Sequence, residues 1–460
     1  MDDVDARKRL AAAVPPNVRA VCTTLAAAGH QAVTVGGAVR DAILGRMPGD
    51  WDVATSAPPE DVMALFKRTI PTGLQHGTVT IVTGRGEDSH VEVTTYRGEG
   101  AYTDSRRPDH VTFGVPLLED LARRDLRVNA MAYDPATDQL IDPYGGRVDI
   151  VEKKLRAVGP TGNVYEDAVA RFTEDGLRVM RAVRFAAVLE FALDPDTERG
   201  ILPALPSLAK VSKERISDEL HKLLSTRQPS RGLAIAERSG IIALILPQLA
   251  AGFDAWGAAR GGRAAVVEAW LARIDEASRV ASGANEGTRA RSAIMLAALL
   301  VELGSPDFEP RRRDGLVYQQ VDAVLRALKF SNHEAMAAAH LVSIARAAEV
   351  PELAAPDLRK LFSAIGREHA SLAILLWRAH LPASPVIALA ERILAERHPL
   401  ASKELAVTGK DLIDVLAQPP GPAIGRLLAI LLERVLDDPL LNTRDQLLEL
   451  ARHAELEVAR

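Results

Sequence analysis

The sequence predicts an α+β amino-terminal part followed by a long all-α remainder. Residues 1–158 alternate short apolar, β-branched runs with short amphipathic segments, whereas strand signals nearly disappear after Tyr165. Aromatic residues make up only 4% of the chain, and Ala and Leu dominate its later two thirds. The core of that later part is therefore expected to consist of packed helices.

The elements follow from local patterns. The sequence predicts a helix over 16–28, a strand over 31–35, helices over 38–44 and 59–67, and strands over 78–83, 91–96 and 111–113. Further helices are expected over 178–185 and 216–224. Residues 252–263, rich in Gly, Ala and Arg, are predicted to be a linker, and prolines interrupt the helices that follow. At ~150 residues per domain the length allows about three domains, and we expect boundaries at 1–158, 159–250 and 251–460.

Composition excludes some classes of protein. The formal net charge of −5 argues against a general polyanion binder, so any contact with nucleic acid must come from local basic patches. The single cysteine, Cys22, cannot form an intramolecular disulfide and lies in an apolar helical stretch, which predicts a core position. We find no signal peptide and no apolar run long enough to span a bilayer. A cytoplasmic location without a membrane partner is expected, and the oligomeric state is not indicated.

The first chemistry-bearing motif is Gly36-Gly37, between the predicted strand over 31–35 and the helix over 38–44. A strand, two glycines and a helix start direct bare backbone N–H groups toward one point, which suits a phosphate. Arg40, one turn into the helix, can add a forked, charge-assisted contact. A Gly-Gly pair is more often only a turn.

Asp50-Trp51-Asp52 follows directly. If residues 51–54 form a strand, Asp50 and Asp52 point to the same face and create an oxygen site suited to Mg²⁺. Glu92, on the predicted strand over 91–96, would face them if the two strands are neighbours. An exposed strand glutamate or a solvated Asp-x-Asp is the plainer interpretation of each residue alone. The order and short separation of the glycine and aspartate motifs favour phosphoryl or nucleotidyl transfer.

Two arginine-rich segments complete the candidate site. The segment 123–130, Arg-Arg-Asp-Leu-Arg-Val-Asn-Ala, can hold triphosphate and ribose, with Arg124 and Asn129 as candidates, although a salt-bridged helix end explains it equally well. In the segment 174–185, Asp175 and Arg178 would share one helix face, and Arg181 and Arg184 would continue the row. An aspartate can accept from the exocyclic amine of cytosine while arginine donates to ring acceptors, so such a face could recognise a base.

Together these residues resemble the tRNA nucleotidyltransferase and poly(A) polymerase family, in particular the bacterial class II CCA-adding enzymes. The resemblance is carried by several long motifs in the family's order, and it is weakest over 246–400. The motifs are Gly-Gly-Ala-Val-Arg-Asp (36–41), Asp-Trp-Asp (50–52), the segment 123–130, Asp-Pro-Tyr-Gly-Gly (142–146), the segment 174–185, Glu-Arg-Ile-Ser-Asp-Glu-Leu (214–220), and the tail segments 404–412 and 439–444.

The resemblance implies a polymerase-β-like nucleotidyltransferase head followed by a helical neck, body and tail. It implies Asp50 and Asp52 as Mg²⁺ ligands. CTP and ATP would be the nucleotides and the tRNA 3′ end the acceptor, whose hydroxyl attacks the α-phosphate. The expected catalytic residues are Asp50, Asp52 and Glu92, and the expected nucleotide-binding residues are Gly36, Gly37, Arg40, Arg124, Asn129, Asp175, Arg178, Arg181 and Arg184.

Several alternatives remain within and outside the family. Residues 99–108 resemble a flexible loop of enzymes that can add the terminal A, which argues against CC-only activity. An A-adding enzyme, a poly(A) polymerase and a catalytically silent RNA-binding paralogue are the alternatives. In the segment 295–304, Val301-Glu302 replaces the metal-binding His-Asp pair that some relatives carry, so we expect a degenerate HD-like segment without a second metal site.

Overall fold

The computed structural model describes residues 3–86, 89–99, 111–284, 287–304, 313–416 and 419–458. The chain divides into two compact units. The first comprises Met1–Leu223 and Arg231–Ile245, and the second comprises Leu224–Ser230 and Leu246–Arg460. The finer three-part division at 158 and 250 remains a prediction.

A mixed sheet organises the first unit. Among the described residues seven strands join in the order β3-β4-β5-β2-β1-β8-β9, and β2 and β5 run parallel whereas the other neighbours are antiparallel. Two small ladders, β6–β7 and β10–β11, accompany it. The strands are β1 Ala32–Val35, β2 Asp52–Thr55, β3 Thr69–Gly73, β4 Thr78–Val82, β5 His90–Thr95, β6 Arg97–Glu99, β7 Val111–Phe113, β8 Ala132–Asp134, β9 Gln139–Ile141, β10 Lys154–Leu155 and β11 Ala192–Leu193.

Helices cover the sheet and then continue alone through the rest of this unit. Cys22 is fully buried on α2, as predicted. The helices are α1 Asp3–Ala13, α2 Pro16–Ala27, α3 Gly37–Ile43, α4 Pro59–Leu65, α5 Leu117–Ala122, α6 Gly146–Glu152, α7 Val164–Glu174, α8 Leu177–Leu189, α9 Pro195–Arg199, α10 Ile201–Ala209, α11 Lys213–Leu224, α12 Ser230–Arg238 and α13 Ile241–Ile245.

In the second unit, the described residues form α-helices and short 3₁₀ turns joined by loops. The predicted linker over 252–263 is wrong, because most of it lies in α14, where Phe253 and Trp256 are buried. The helices are α14 Pro247–Ala259, α15 Arg263–Gly283, α16 Thr288–Leu300, α17 Gly315–Ala327, α18 Asn332–Ser343, α19 Ala355–Ile365, α20 Arg367–His380, α21 Pro385–Ala395, α22 Gly409–Leu416, α23 Pro422–Asp437 and α24 Arg444–Val458.

The predicted fold class, an α+β part followed by helices, is thus confirmed. Among the described residues, no helix has both the length and the apolar character that a membrane crossing would need.

A partly buried ionic cluster stabilises the second unit around Glu349. Its carboxylate accepts hydrogen bonds from His380 Nε2 (3.1 Å), Arg260 Nη2 (3.1 Å) and Arg346 Nε (3.4 Å). Burial alone would raise the pKa of Glu349, but these three partners outweigh it and hold the pKa at about 2. The hydrogen bond from His380 is the largest of the effects that lower the pKa of Glu349, and the charges of Arg260 and Arg346 add to it.

This cluster predicts a pH-dependent stability. The pKa of Glu349 is lower in the folded than in the unfolded chain, so its stabilisation is complete above about pH 4.5 and disappears as pH falls toward 2. Glu349→Gln should therefore lower the free energy of unfolding by roughly 2–3 kcal/mol at pH 7 and by much less at pH 3. Urea unfolding followed by tryptophan fluorescence measures this, with the exposed Glu352→Gln as the control. A loss that does not change between pH 7 and pH 3 would contradict the assignment.

Candidate active site

The turn between β1 and α3 brings a glycine directly against an arginine. Gly36 has φ +77°, a left-handed conformation that favours glycine, and a Cβ there would lie 2.7 Å from Arg124 Nη1. Gly37 begins α3 and Arg40 lies one turn later, as predicted. The backbone conformation therefore favours glycine at position 36, and a Cβ there would displace the Arg124 guanidinium.

The aspartate motif lies where β2 begins. The strand predicted over 51–54 in fact covers Asp52–Thr55, so Asp50 precedes it and the two aspartates do not share one strand. Asp50 and Asp52 are nevertheless exposed on either side of the buried Trp51, which continues the alternation of the strand. In the parallel β2–β5 ladder Asp52 is in register with Glu92, so these two side chains emerge on the same face.

The charges around Asp52 favour a cation. Loss of surrounding water raises the pKa of the Asp52 carboxyl, although the side chain remains accessible. Arg124 opposes this shift in pKa, whereas the carboxylates of Glu92 and Asp50 increase it. Acidic groups that repel one another in this way are stabilised by a bound cation.

The donor set can be tested against a divalent metal ion. No three His, Cys, Asp or Glu side chains of the described ranges lie close enough together to form a metal site by themselves. Mg²⁺, however, is usually held by one or two carboxylates and completed by water and substrate phosphates. Asp52 with a neighbouring carboxylate fits that arrangement.

A chain of buried hydrogen bonds connects α3 to α8. Arg40 is held by Asp41 (2.8 and 2.9 Å) and donates from Nη1 to Asn129 Oδ1 (2.5 Å). Asn129 in turn donates to Asp125 Oδ1 (3.0 Å), whose second oxygen accepts from Arg181 Nε (2.7 Å). Burial would raise the pKa of Asp125, but Arg181 and the bond from Asn129 hold it well below its usual range. The predicted residues Arg40, Asn129 and Arg181 therefore belong to one network.

The hydrogen-bond donors of Arg124 are less completely satisfied. It contacts Asp120 Oδ2 (3.5 Å) and the Asn129 carbonyl oxygen (3.4 Å), while its buried Nε has no hydrogen-bond partner in the structure. Burial lowers the pKa of Arg124, an effect that Asp120 and Asp52 oppose. An arginine with loose contacts beside two glycines is suited to an anionic ligand.

Asp175 does not occupy the helix of Arg178, and the prediction of one continuous face is corrected. Helix α7 ends at Glu174 and α8 begins at Leu177, so Asp175 lies in the break, where its Oδ1 accepts from the Leu177 backbone N–H (3.0 Å). Arg178 instead contacts Glu174 (2.7 Å), and its Nη2 donates to the carbonyl oxygen of Arg123 (2.9 Å). The Arg178 backbone N–H donates to the Asp175 carbonyl oxygen (2.9 Å), but the side chain of Asp175 contacts Leu177 and Arg215 rather than the guanidinium of Arg178.

An aromatic ring lies among the arginines of α8 and α3. The guanidinium carbon of Arg184 is 4.2 Å from the centroid of Phe185, and those of Arg40 and Arg181 are 5.3 and 5.4 Å away. Arg184 also donates to Glu219 (2.6 Å) on α11. Arg184 thus contacts Phe185, which lines the cavity described next, without lining that cavity itself.

These residues surround one open cavity of about 440 Å³. It brings together nine of the twelve predicted site residues, whereas Asp50, Glu92 and Arg184 do not line it. Sequence reasoning missed five lining residues, of which Arg123, Asp125 and Arg215 lay in quoted motifs with a clear polar signal, whereas Leu177 and Phe185 are apolar. The lining residues are Gly36, Gly37, Arg40, Asp52, Arg123, Arg124, Asp125, Asn129, Asp175, Leu177, Arg178, Arg181, Phe185 and Arg215.

The predicted HD-like segment lies in the second unit. Glu302, in a 3₁₀ turn after α16, is buried and forms an ion pair with Arg273 Nη2 (2.5 Å). A separate cavity of about 1310 Å³ lies beside it, lined mainly by apolar and amide side chains of α14 and α17. The absence of a second metal site there remains a prediction.

Comparison with known proteins agrees with this geometry. Residues 32–156 match the poly A polymerase head domain, residues 190–253 match the "Probable RNA and SrmB- binding site of polymerase A", and residues 315–451 match tRNA nucleotidyltransferase domain 2. A CCA-adding enzyme of Geobacillus stearothermophilus is 37% identical over 424 residues, which cover 91% of this chain and 92% of that protein. One of Lactococcus lactis subsp. lactis is 35% identical over 415 residues, or 90% and 91%.

Solved structures show the same fold. The Bacillus stearothermophilus CCA-adding enzyme in complex with CTP superposes with a TM-score of 0.68 at 31% identity, over 97% of this chain and 99% of that one. The Thermotoga maritima CCA-adding enzyme complexed with tRNA superposes with a TM-score of 0.62 at 19% identity, over 97% and 98%, a likeness of fold. The predicted family is therefore confirmed: the chain is a nucleotidyltransferase of the poly(A) polymerase and CCA-adding enzyme family.

Proposed function

We propose that this protein is a CCA-adding tRNA nucleotidyltransferase that extends the tRNA 3′ end with C, C and A from CTP and ATP. The observation that carries the proposal is the single cavity in which a glycine turn and Arg124, a carboxylate at a strand start and Asp175 lie together. Those are the groups needed for a triphosphate, a divalent cation and a base. Similarity to CCA-adding enzymes over nine tenths of the chain supports the same substrates.

The phosphates are assigned to the glycine turn. Gly37 offers its backbone N–H at the start of α3, whereas the Gly36 N–H donates to the Met131 carbonyl oxygen (3.4 Å), and Arg124 places its guanidinium beside this turn. Arg40 and Asn129 support this turn from beneath through their mutual hydrogen bond. Neutralising the triphosphate here assists departure of pyrophosphate.

The divalent cation is assigned to Asp50 and Asp52. Nucleotidyltransferases of this family generally depend on divalent metal ions, and the oxygen donors here suit Mg²⁺. When bound, the ion supplies Lewis-acid stabilisation of the phosphates and lowers the pKa of the attacking hydroxyl. Glu92, in register with Asp52, is assigned as a third acid that helps orient the acceptor.

The reaction forms a bond between the tRNA 3′-oxygen and the α-phosphorus and breaks the bond from that phosphorus to the pyrophosphate oxygen. The hydroxyl proton passes to solvent through the acidic group of Asp50, Asp52 and Glu92. Little covalent chemistry is required of the protein, so positioning and charge neutralisation dominate.

The base is assigned to the cavity wall formed by α7, α8 and the segment between them. Asp175 would accept from the exocyclic amine of cytosine or adenine, and Arg178 and Arg181 would donate to the base or its phosphates. Arg184 would assist indirectly, through Phe185. We assign residues 1–158 to catalysis, 159–250 to base recognition and 251–460 to tRNA binding.

The assay uses purified tRNA that lacks CCA, with CTP alone, ATP alone, or both. The proposed enzyme adds two C with CTP alone and completes CCA with both nucleotides. An A-adding enzyme extends only tRNA that already ends in CC, and a poly(A) polymerase produces long tails from ATP alone. These products are resolved on a sequencing gel. These products show directly whether the terminal A is added. The loop over 99–108, which led us to expect that addition, lies largely outside the described residues.

The same assay tests the carboxylates. Asp52→Asn should lower kcat by about 100-fold or more, because a neutral amide neither stabilises the cation nor accepts the proton. Glu60→Gln, an exposed acid on α4, is the matched control and should retain full activity. Should Asp52→Asn still bind tRNA and incorporate nucleotides at the normal rate, the assigned chemistry would be refuted.

Alanine variants of two separate glycines test the assignment of the phosphates to the glycine turn. Gly36→Ala and Gly29→Ala both place alanine at a positive φ, at a conformational cost of about 1–2 kcal/mol. Only the Gly36 variant also displaces Arg124, because nothing lies within 4 Å of a Cβ at Gly29. Loss of a charge-assisted contact predicts a KM for CTP about ten- to a hundredfold higher in Gly36→Ala than in Gly29→Ala. Equal KM values in the two variants would contradict the assignment.

A further inference from the structure

Both carboxylate oxygens of Asp175 are fixed by the protein. Oδ1 accepts from the Leu177 backbone N–H, and Oδ2 accepts from Arg215 Nη2 at 2.9 Å. Asp175 lies between α7 and α8, where no helix holds it, so these two contacts determine the plane of its carboxylate. Of the two, only the bond from Arg215 involves a side chain that a substitution can remove.

Arg215 reaches Asp175 from a different part of the fold. It lies near the start of α11, 40 residues along the chain, and both side chains line the 440 Å³ cavity. Its Nη1 is buried with no hydrogen-bond partner in the structure. An arginine that served packing alone would be expected to satisfy that donor. The guanidinium is instead held in the position that contacts Asp175.

The other arginines around the cavity are engaged elsewhere. Arg178 donates to Glu174 and to two backbone carbonyl oxygens, and Arg181 is held by Asp125. Within the described residues, the ion pair recorded for Asp175 is the one with Arg215. The orientation of Asp175 therefore depends on Arg215.

We propose that Arg215 is a positioning residue for base selection, acting through Asp175. This inference rests on the proposed function, because it assigns the Asp175 carboxylate as the acceptor for the exocyclic amine of cytosine or adenine. Uracil presents a carbonyl oxygen at that position, which a fixed carboxylate repels. A carboxylate free to rotate would lose the amine contact and part of that repulsion, so both nucleotide affinity and discrimination against UTP would fall.

The test compares Arg215→Met and Arg215→Lys with the wild-type protein on tRNA lacking CCA. Arg215→Met should lower kcat/KM for CTP by about ten- to a hundredfold, mainly through KM, while changing that for UTP much less, so that CTP/UTP discrimination falls about tenfold or more. Arg215→Lys keeps the charge without the planar fork and should recover part of the discrimination. The matched control is Arg238→Met, which removes a similar interhelical pair with Glu198 in the same unit and should not alter discrimination.

A double-mutant cycle separates positioning from an independent role. If Arg215 acts through Asp175, adding Arg215→Met to Asp175→Ala should change kcat/KM for CTP less than about threefold. Additive losses, or unchanged discrimination in a folded Arg215→Met protein, would overturn the inference. If Arg215→Met does not fold, as judged by circular dichroism, the lysine variant decides, and full wild-type discrimination in it overturns the inference. Failure of the wild-type protein itself to add C or A would instead refute the proposed function.

Discussion

The candidate site depends on a buried carboxylate, Asp125. It accepts from Asn129 and from Arg181, and Asn129 in turn holds Arg40 beneath the glycine turn. This network joins the sheet-associated helix α3 to α8, the helix after the Asp175 break. Removing one member of a buried ionic network leaves an uncompensated charge and typically costs about 3–5 kcal/mol. Asp125 therefore couples the geometry of the assigned phosphate site to that of the assigned base site.

Local charge explains how an acidic chain could accept the polyanionic substrate that we propose. The whole protein carries a formal charge of −5, yet the described residues lining the cavity include six arginines and three aspartates. Most of these arginines are held by carboxylates or carbonyl oxygens, so they are preorganised rather than mobile. The electrostatic field of these arginines is therefore fixed before the ligand arrives, and the side chains need not reorganise during the reaction. Electrostatic stabilisation is most effective under that condition. Asp52 lies at the edge of this positive region with two further acids near it.

The sequence predicted the local parts of the site and missed those created by distant contacts. Gly36, Arg40 and Asp52 could be found because strand, turn and helix signals adjoin them. Asp175 was predicted to lie on one continuous helix with Arg178, because residues three apart share a face only when both are helical. The break depends on Gly176, where a Cβ would lie 2.3 Å from the Leu208 backbone nitrogen of α10, a contact no local pattern reveals. Arg215 likewise reaches the cavity only because α11 packs there.

The wrong linker prediction has a similar cause. Residues 252–263 are rich in small residues, which local composition associates with flexible segments. In the fold, position 252 requires glycine because a Cβ there would lie 2.3 Å from the Glu302 backbone oxygen. Gly257 likewise approaches the Arg263 backbone. These glycines permit α14 to pack closely against the neighbouring segments at Glu302 and Arg263.

A crystal structure of the protein with CTP and Mg²⁺ would test these assignments together. We expect the triphosphate to lie against Gly36, Gly37 and Arg124, Mg²⁺ to lie near the Asp52 carboxylate, and the cytosine amine to lie within hydrogen-bond distance of Asp175. A nucleotide bound outside this cavity, or bound within it with Asp52 remote from both ion and phosphates, would contradict these assignments.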